Sequence, residues 1–307
     1  MAAAGRDSCD EMAGRGAALP WHPSGPGAPL LQPAMHRVDL SILNQRVGFE
    51  SAAAEGVTIV ECLFGPYLVT DSGGEPAVRV ETGSDEWVIR WAGAEPVSGG
   101  GLAVQLEHVL TRAILDALPQ VLHVHAAGVV GRAGAVLALG GSGSGKSSIA
   151  AAWTVDGRRV LGDDVLFLDR AGVVHPFNKP LKVDAKRARA LGISLAETVL
   201  WEGGADEAWV DPAGYGGWAP PAAPAALVFL DRREGDGPGS DALALSPLDG
   251  PETAQALLQQ LMETGGDRAE WFDQLLSLAG DVAAYRLPFS DSRRAASVLA
   301  RLADEPR

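Results

Sequence analysis

The sequence predicts an α/β fold with some α+β character, in which a small β-rich N-terminal region precedes a larger unit of alternating strands and helices. Three observations carry this. An apolar run, Ala135-Val-Leu-Ala-Leu139, leads through Gly140-Gly-Ser-Gly-Ser-Gly145-Lys146-Ser147 into an Ala-rich helical stretch ending near Asp156. Short runs of period-two alternation separated by turn residues fill residues 37–100. Beyond Asp156, apolar strand-like runs alternate with amphipathic helical ones up to Leu302. The chain has 307 residues, 47% apolar and 21% charged, which is ordinary globular composition and enough for one large or two modest domains.

The elements follow in order. Residues 1–34 are rich in Ala, Gly and Pro without periodicity, lack the compact apolar core of a signal peptide, and read as a disordered tail. Periodic sequence begins at Met35, which would also serve as a start site. Residues 35–118 form the β-rich region: Val57–Phe64, Ala77–Glu81 and Glu86–Trp91 read as strands, with turn signals at residues 71–74 and 83–85. The helix closing this region, residues 102–118, puts Leu102, Leu106, Val109, Leu110, Ala113, Ile114 and Ala117 on one face, and Pro119 stops it. Residues 119–307 form the second domain. There, Val121–Val130 reads as a strand carrying His123 and His125, turning at residues 131–134 into the 135–139 strand to make a hairpin. Gly157 ends the following helix. Asp163 and Asp164 interrupt the apolar run up to Leu168. Asp184 caps a short basic helix with Lys186, Arg187 and Arg189, and residues 201–224 form a loop rich in Gly, Pro and aromatics. A buried strand at residues 225–230 ends at Arg232 and Arg233. Helices at 251–262, with Leu257, Leu258 and Leu261 inward, and at 268–278 precede a last strand at 282–287 and a helix capped by Ser290.

The glycine loop fits G-x-x-x-x-G-K-S, a phosphate-binding P-loop in its required setting between a strand and a helix. Its residues Gly140, Gly141, Ser142, Gly143, Ser144, Gly145, Lys146, Ser147 and Ser148 would cradle the phosphates of a nucleoside triphosphate with backbone N–H groups and the helix N-terminus. Lys146 would reach the β- and γ-phosphates, and the Ser147 hydroxyl would ligate Mg²⁺. Two carboxylates inside an apolar run, Asp163 and Asp164, are costly to bury unless they meet a cation, and beside a P-loop that cation is Mg²⁺.

The net charge of −14 argues against non-specific nucleic-acid binding and polybasic membrane contact, and no run of 18 apolar residues exists. Cys9 and Cys62 give no disulfide or metal pattern, consistent with a reducing cytoplasm.

One helix separates the P-loop from the aspartates, and together with His125-Ala-Ala-Gly-Val129 and Arg159-Val-Leu-Gly-Asp-Asp164 this order resembles the C-terminal domain of HPr kinase/phosphorylase, with phosphoenolpyruvate carboxykinase as a distant cousin. The match covers roughly residues 120–185. Its His-Ala-Ala form looks most like the smaller HPr-kinase-like enzymes of peptide natural-product clusters, among them lasso-peptide tailoring kinases. The resemblance implies a P-loop kinase core and ATP- and Mg²⁺-dependent phosphorylation of a serine- or threonine-type hydroxyl on a peptide or protein. It implies Asp163 as base on that hydroxyl, Asp164 as metal ligand, and His125 near the phosphates, although a histidine on a strand is as readily a satisfied core residue. It places Lys179 and Lys182 where they could meet phosphate or an acidic acceptor, and it allows a homo-oligomer. The loop at 201–224 lacks the arginine pattern of the bifunctional enzymes, so phosphorylase activity is not implied. Two other readings use the same residues: a small-molecule kinase, such as one for a free amino acid, whose site that loop would close, and a nucleotide-binding regulator or NTPase with no acceptor but water.

Overall fold

The computed structural model describes residues 35–70, 73–82, 86–193, 207–233, 243–262 and 267–305. The expected tail at 1–34, most of the two early turns and the first part of the aromatic loop lie outside the described residues.

The chain opens with β1 (His36–Ile42) and β2 (Gln45–Ser51), an antiparallel hairpin whose two turn residues, Leu43 and Asn44, both take positive φ. Then come α1 (Ala54–Phe64), β3 (Leu68–Val69), β4 (Val78–Thr82), β5 (Trp87–Trp91), β6 (Val97–Ser98) and α2 (Leu102–Ala117). The strands form one six-stranded sheet in the order β3-β1-β2-β4-β5-β6. Only the β2–β4 pairing in it is parallel, and α1 makes that crossover. The strand expected at Val57–Phe64 is therefore a helix. The buried residues there, Gly56, Ile59, Val60, Leu63 and Phe64, recur at three- and four-residue spacing, which suits a helix face and not a pleat. Helices α1 and α2 lay that face and the Leu106, Leu110 and Ile114 face onto Leu40, Phe49, Val80 and Ile89 of the sheet.

The second half contains β7 (Leu122–Val124), β8 (Ala126–Gly131), β9 (Gly134–Leu139), α3 (Lys146–Val155), β10 (Val160–Gly162), β11 (Leu166–Leu168), β12 (Val174–His175), β13 (Leu181–Asp184), α4 (Ala185–Ala190), β14 (Glu207–Val210), β15 (Pro224–Arg232), β16 (Ser246–Leu248), α5 (Gly250–Leu258), α6 (Arg268–Asp281), β17 (Ala283–Phe289) and α7 (Ser292–Asp304). Its main sheet has the order β10-β8-β9-β15-β17-β16, parallel at β9–β15 and β15–β17 and antiparallel elsewhere. Helices cover both faces, so the central strands are apolar on both sides. Val136, Ala138, Ala226 and Val228 face α3 and α7. Leu137, Leu139, Leu227 and Phe229 alternate with them and face α5 and α6. The buried Trp153 ties α3 to α7, its indole N–H donating to the Ala296 carbonyl at 2.8 Å. The fold is thus a mixed α/β structure, as the sequence predicts.

Three local expectations need correction. The 121–130 strand is two strands in different sheets, because β7 pairs with β11 in a small sheet while β8 pairs with β9 in the main one. The cap of α7 is Asp291, not Ser290, since the Asp291 carboxylate accepts the Arg294 N–H at 2.9 Å. Leu258 is 47% exposed, not inward, because α5 ends there after Leu257 takes the core position. No helix among the described residues is long and apolar enough to cross a membrane.

Candidate active site

Two breaks in the strands make the site. β7 gives way to β8 at His125, and β10 gives way to β11 across residues 163–165, so the same two neighbouring chains leave the main sheet at the same level. The register of β10 against β8 shifts between Val160 and Gly162. Gly162 holds φ at 148°, and a Cβ there would stand 3.3 Å from the Phe177 carbonyl oxygen, so glycine suits the position. On a continuous strand Asp163 and Asp164 would point to opposite faces. The break frees both carboxylates to line one cavity of about 360 Å³ with His125, Ser142, Gly143, Gly145, Lys146, Ser147 and Ser148.

The P-loop lies between β9 and α3, with Gly145 in the left-handed region (φ 99°) as the residue from which the helix starts. Its first-turn N–H groups therefore open onto the cavity, where they suit an anion. Lys146 is buried, and its ammonium donates to the carbonyls of Gly140 at 2.5 Å and Gly141 at 3.0 Å. Burial lowers its pKa, while Asp164 and Asp163 pull it back up.

The two aspartates stand in unlike surroundings. Asp163 is only 5% exposed and accepts a hydrogen bond from the Ser147 hydroxyl. Burial and the charge of Asp164 push its pKa up to about 7, against the opposing pull of Lys179 and Ser147. Asp164 is 43% exposed. Burial raises its pKa, but the charge and hydrogen bond of Lys179, with His125 and Lys146, outweigh that and hold it below the usual carboxylate range. Lys179 Nζ lies 3.1 Å from one Asp164 oxygen, and His125 Nε2 lies 3.5 Å from the other. Burial and Lys146 lower the His125 pKa, with Asp164 opposing them.

The structure also places residues that sequence reasoning missed or set aside. Glu107 of α2 reaches across from the N-terminal sheet to pair with Lys179 at the cavity wall. A signal for it exists: Glu107 sits at the edge of the apolar stripe of α2, between buried Ala103 and Ile114. Arg187 of α4 lines the cavity and donates to Ser148 at 3.4 Å, whereas Lys186 and Arg189 are exposed and off the lining. Lys182, one of the expected site residues, lines the cavity, pairs with Glu207 at 2.9 Å and lies 5.6 Å from the Trp209 ring centre. His123 is fully buried in β7, its ring edge-on to Phe167 and its Nε2–H donating to Leu118, outside the cavity. Arg232 and Arg233 are exposed at the end of β15 and do not line the cavity.

Among the described residues no group of three or more His, Cys, Asp or Glu side chains is arranged to hold a metal ion by itself. Ser147 and the two aspartates do offer adjacent hard oxygen donors next to the phosphate loop. That fits Mg²⁺, which takes one or two carboxylates and completes its shell with waters and phosphate oxygens.

No protein-family description matches the chain. No curated protein matches it. Among solved structures it is similar to the Hpr(Ser) kinase/phosphatase from Coxiella burnetii, at 18% identity and a TM-score of 0.31, over 59% of this chain and 87% of that one.

Proposed function

We propose that the protein is an ATP- and Mg²⁺-dependent kinase that phosphorylates a serine- or threonine-type hydroxyl of a peptide or protein, such as a lasso-type natural-product precursor peptide. The observation that carries this reading is the convergence of a P-loop lysine and serine with two carboxylates in one cavity, one buried and one open. Mg²⁺, when bound, would be held by Ser147 and Asp163 and would neutralise the charge that develops on the phosphates. Lys146 and the N-terminus of α3 hold the phosphates and stabilise the transferred group.

The hydrogen bond from Ser147 supports a division of labour opposite to the one the resemblance implies. Asp163 shares the Ser147 hydroxyl and belongs to the metal side. Asp164 is half-exposed, kept ionised by Lys179, and opens toward the mouth, where an acceptor hydroxyl can reach it. The hydroxyl oxygen forms a bond to the γ-phosphorus as the bridging bond to the β-phosphate breaks. Its proton passes to Asp164, and the leaving electron pair goes with ADP.

The described part of the aromatic loop favours a peptide over a small molecule. Residues 207–224 supply no lining residue to the cavity. They pack instead along β13 and β10, with Ala219 N–H donating to Val160 at 2.8 Å. Among the described residues the Asp164 side chain keeps 43% of its surface exposed, which supports access for an extended chain. The decisive experiment incubates the protein with Mg·ATP and candidate precursor peptides and reads peptide mass. A gain of one phosphoryl group on a Ser or Thr, lost in Lys146→Ala, is expected. Consumption of ATP with no phosphorylated peptide or amino acid would favour the NTPase reading.

A further inference from the structure

Lys179 follows a segment that the N-terminal half grips at three separate points. Phe177 packs between Phe64 and Tyr67 of that half, with ring centres 6.1 and 5.9 Å away, and Phe167 lies on its other side at 5.4 Å. The Tyr67 hydroxyl accepts the Asn178 N–H at 2.6 Å and donates to the Pro176 carbonyl at 3.4 Å. Glu107 pairs with Lys179 itself. The Lys179 side chain is 6% exposed and that of Glu107 13%, so both charges are largely out of water and each depends on the other. Burial lowers the Lys179 pKa, but Glu107 and then Asp164 more than reverse this and hold it above its ordinary value. The result is a connected series of side chains, Glu107–Lys179–Asp164–His125, running from helix α2 of the N-terminal half to the open carboxylate of the cavity.

We infer that the N-terminal half completes the candidate active site: Glu107 and Tyr67 are positioning residues that fix Lys179, and Lys179 in turn fixes the carboxylate of Asp164. With Glu107 neutral, the Lys179 ammonium keeps one of its two direct ion pairs, that with Asp164. It is then free to turn toward the phosphates or toward solvent, and Asp164 loses its fixed partner. The effect is on alignment, so it falls on the chemical step and spares nucleotide binding, which the P-loop supplies. The rate arm of this inference rests on the kinase reading above. Its geometric arm does not.

The chain contains four lysines, Lys146, Lys179, Lys182 and Lys186, so each can be followed individually by acylation and mass spectrometry. Full-length wild type, Glu107→Gln, Lys179→Met and the double variant are compared for labelling by a soluble acylating reagent, for ATP consumption with a phosphorylatable peptide, and for the KM of Mg·ATP. Glu107→Gln is expected to raise Lys179 labelling while leaving Lys186 labelling unchanged. It should also lower kcat by about 10- to 100-fold with little change in KM. The double variant should be no slower than Lys179→Met alone, because Glu107 acts only through that lysine. Unchanged Lys179 labelling, or rate losses that multiply in the double variant, would overturn the inference. If Glu107→Gln does not fold, Tyr67→Phe decides: a kcat lowered by roughly 3- to 10-fold at unchanged KM supports the clamp, and an unchanged kcat overturns it. If the wild type consumes no ATP with any acceptor, the kinase reading fails, and labelling of Lys179 alone decides the clamp.

Discussion

His123 is a buried histidine that the site does not use, and it gives the fold a calculable weakness to acid. Its ring has no exposed surface. Burial lowers its pKa from 6.5 to about 4, with the charge of Arg112 acting in the same direction and the hydrogen bond to Leu118 opposing both. A group whose folded pKa is depressed in this way binds fewer protons folded than unfolded between the two values. Stability is therefore complete above pH 6.5 and falls as the pH drops toward 4. The gap of 2.5 units between the two values, at 1.36 kcal/mol each, amounts to about 3 kcal/mol. His123→Gln keeps an N–H donor near the Leu118 carbonyl and does not titrate. Urea unfolding of both proteins from pH 7.5 to 4 isolates the histidine, because every other titratable group is common to the two. The wild type should be the more stable at neutral pH, and its advantage should shrink by about 3 kcal/mol on descending the series. An advantage that stays constant across the series would show that His123 titrates in the native state as it does in the unfolded chain, and would refute the reasoning.

Other expectations concern the site and the packing around it. Lys146→Ala should abolish ATP-dependent phosphorylation, and full turnover in that variant would remove the P-loop from the chemistry. Asp163→Asn and Asp164→Asn should each lower the rate by about 10²-fold or more. They should differ in kind: Asp163→Asn should raise the Mg²⁺ concentration needed for half-maximal rate, and Asp164→Asn should lower kcat at unchanged Mg·ATP affinity. The opposite pattern in a magnesium titration would restore Asp163 as the base. Gly131→Ala would bring a Cβ to 2.4 Å from the Ala303 carbonyl oxygen and 2.6 Å from the Asp304 carboxylate. The clash should cost about 1–3 kcal/mol, visible in the urea midpoint.

Much of the core is legible in the sequence because its signals are local. The P-loop needs only a strand, a glycine spacing and a helix start, all within about 20 consecutive residues, and the structure has all three in register. The buried strands of the main sheet are continuous apolar runs, and the Asp184 and Gly157 helix ends follow from capping chemistry. What escapes is set by distance along the chain. Val57–Phe64 reads as a strand because β-branched residues crowd it, and packing on β1 and β2 overrides that preference. The break at His125 leaves no mark in an evenly apolar run, since it depends on β11 capturing β7 more than 40 residues later. Glu107 belongs to the site only because α2 happens to face Lys179, 72 residues downstream.

The aromatic cluster of Phe64, Tyr67, Phe167 and Phe177 has a consequence for cooperativity. Val165, Phe167, Phe177 and Trp209 of the second half are buried in the same apolar cluster as the N-terminal sheet and its helices. The two halves therefore share a boundary layer, and neither closes its own interior. Heat or denaturant should take the molecule apart in one coincident transition rather than two. A chain cut after α2 would release a second half with the rings of Phe167, Phe177 and Trp209 bared. Such a fragment would self-associate before it could be assayed.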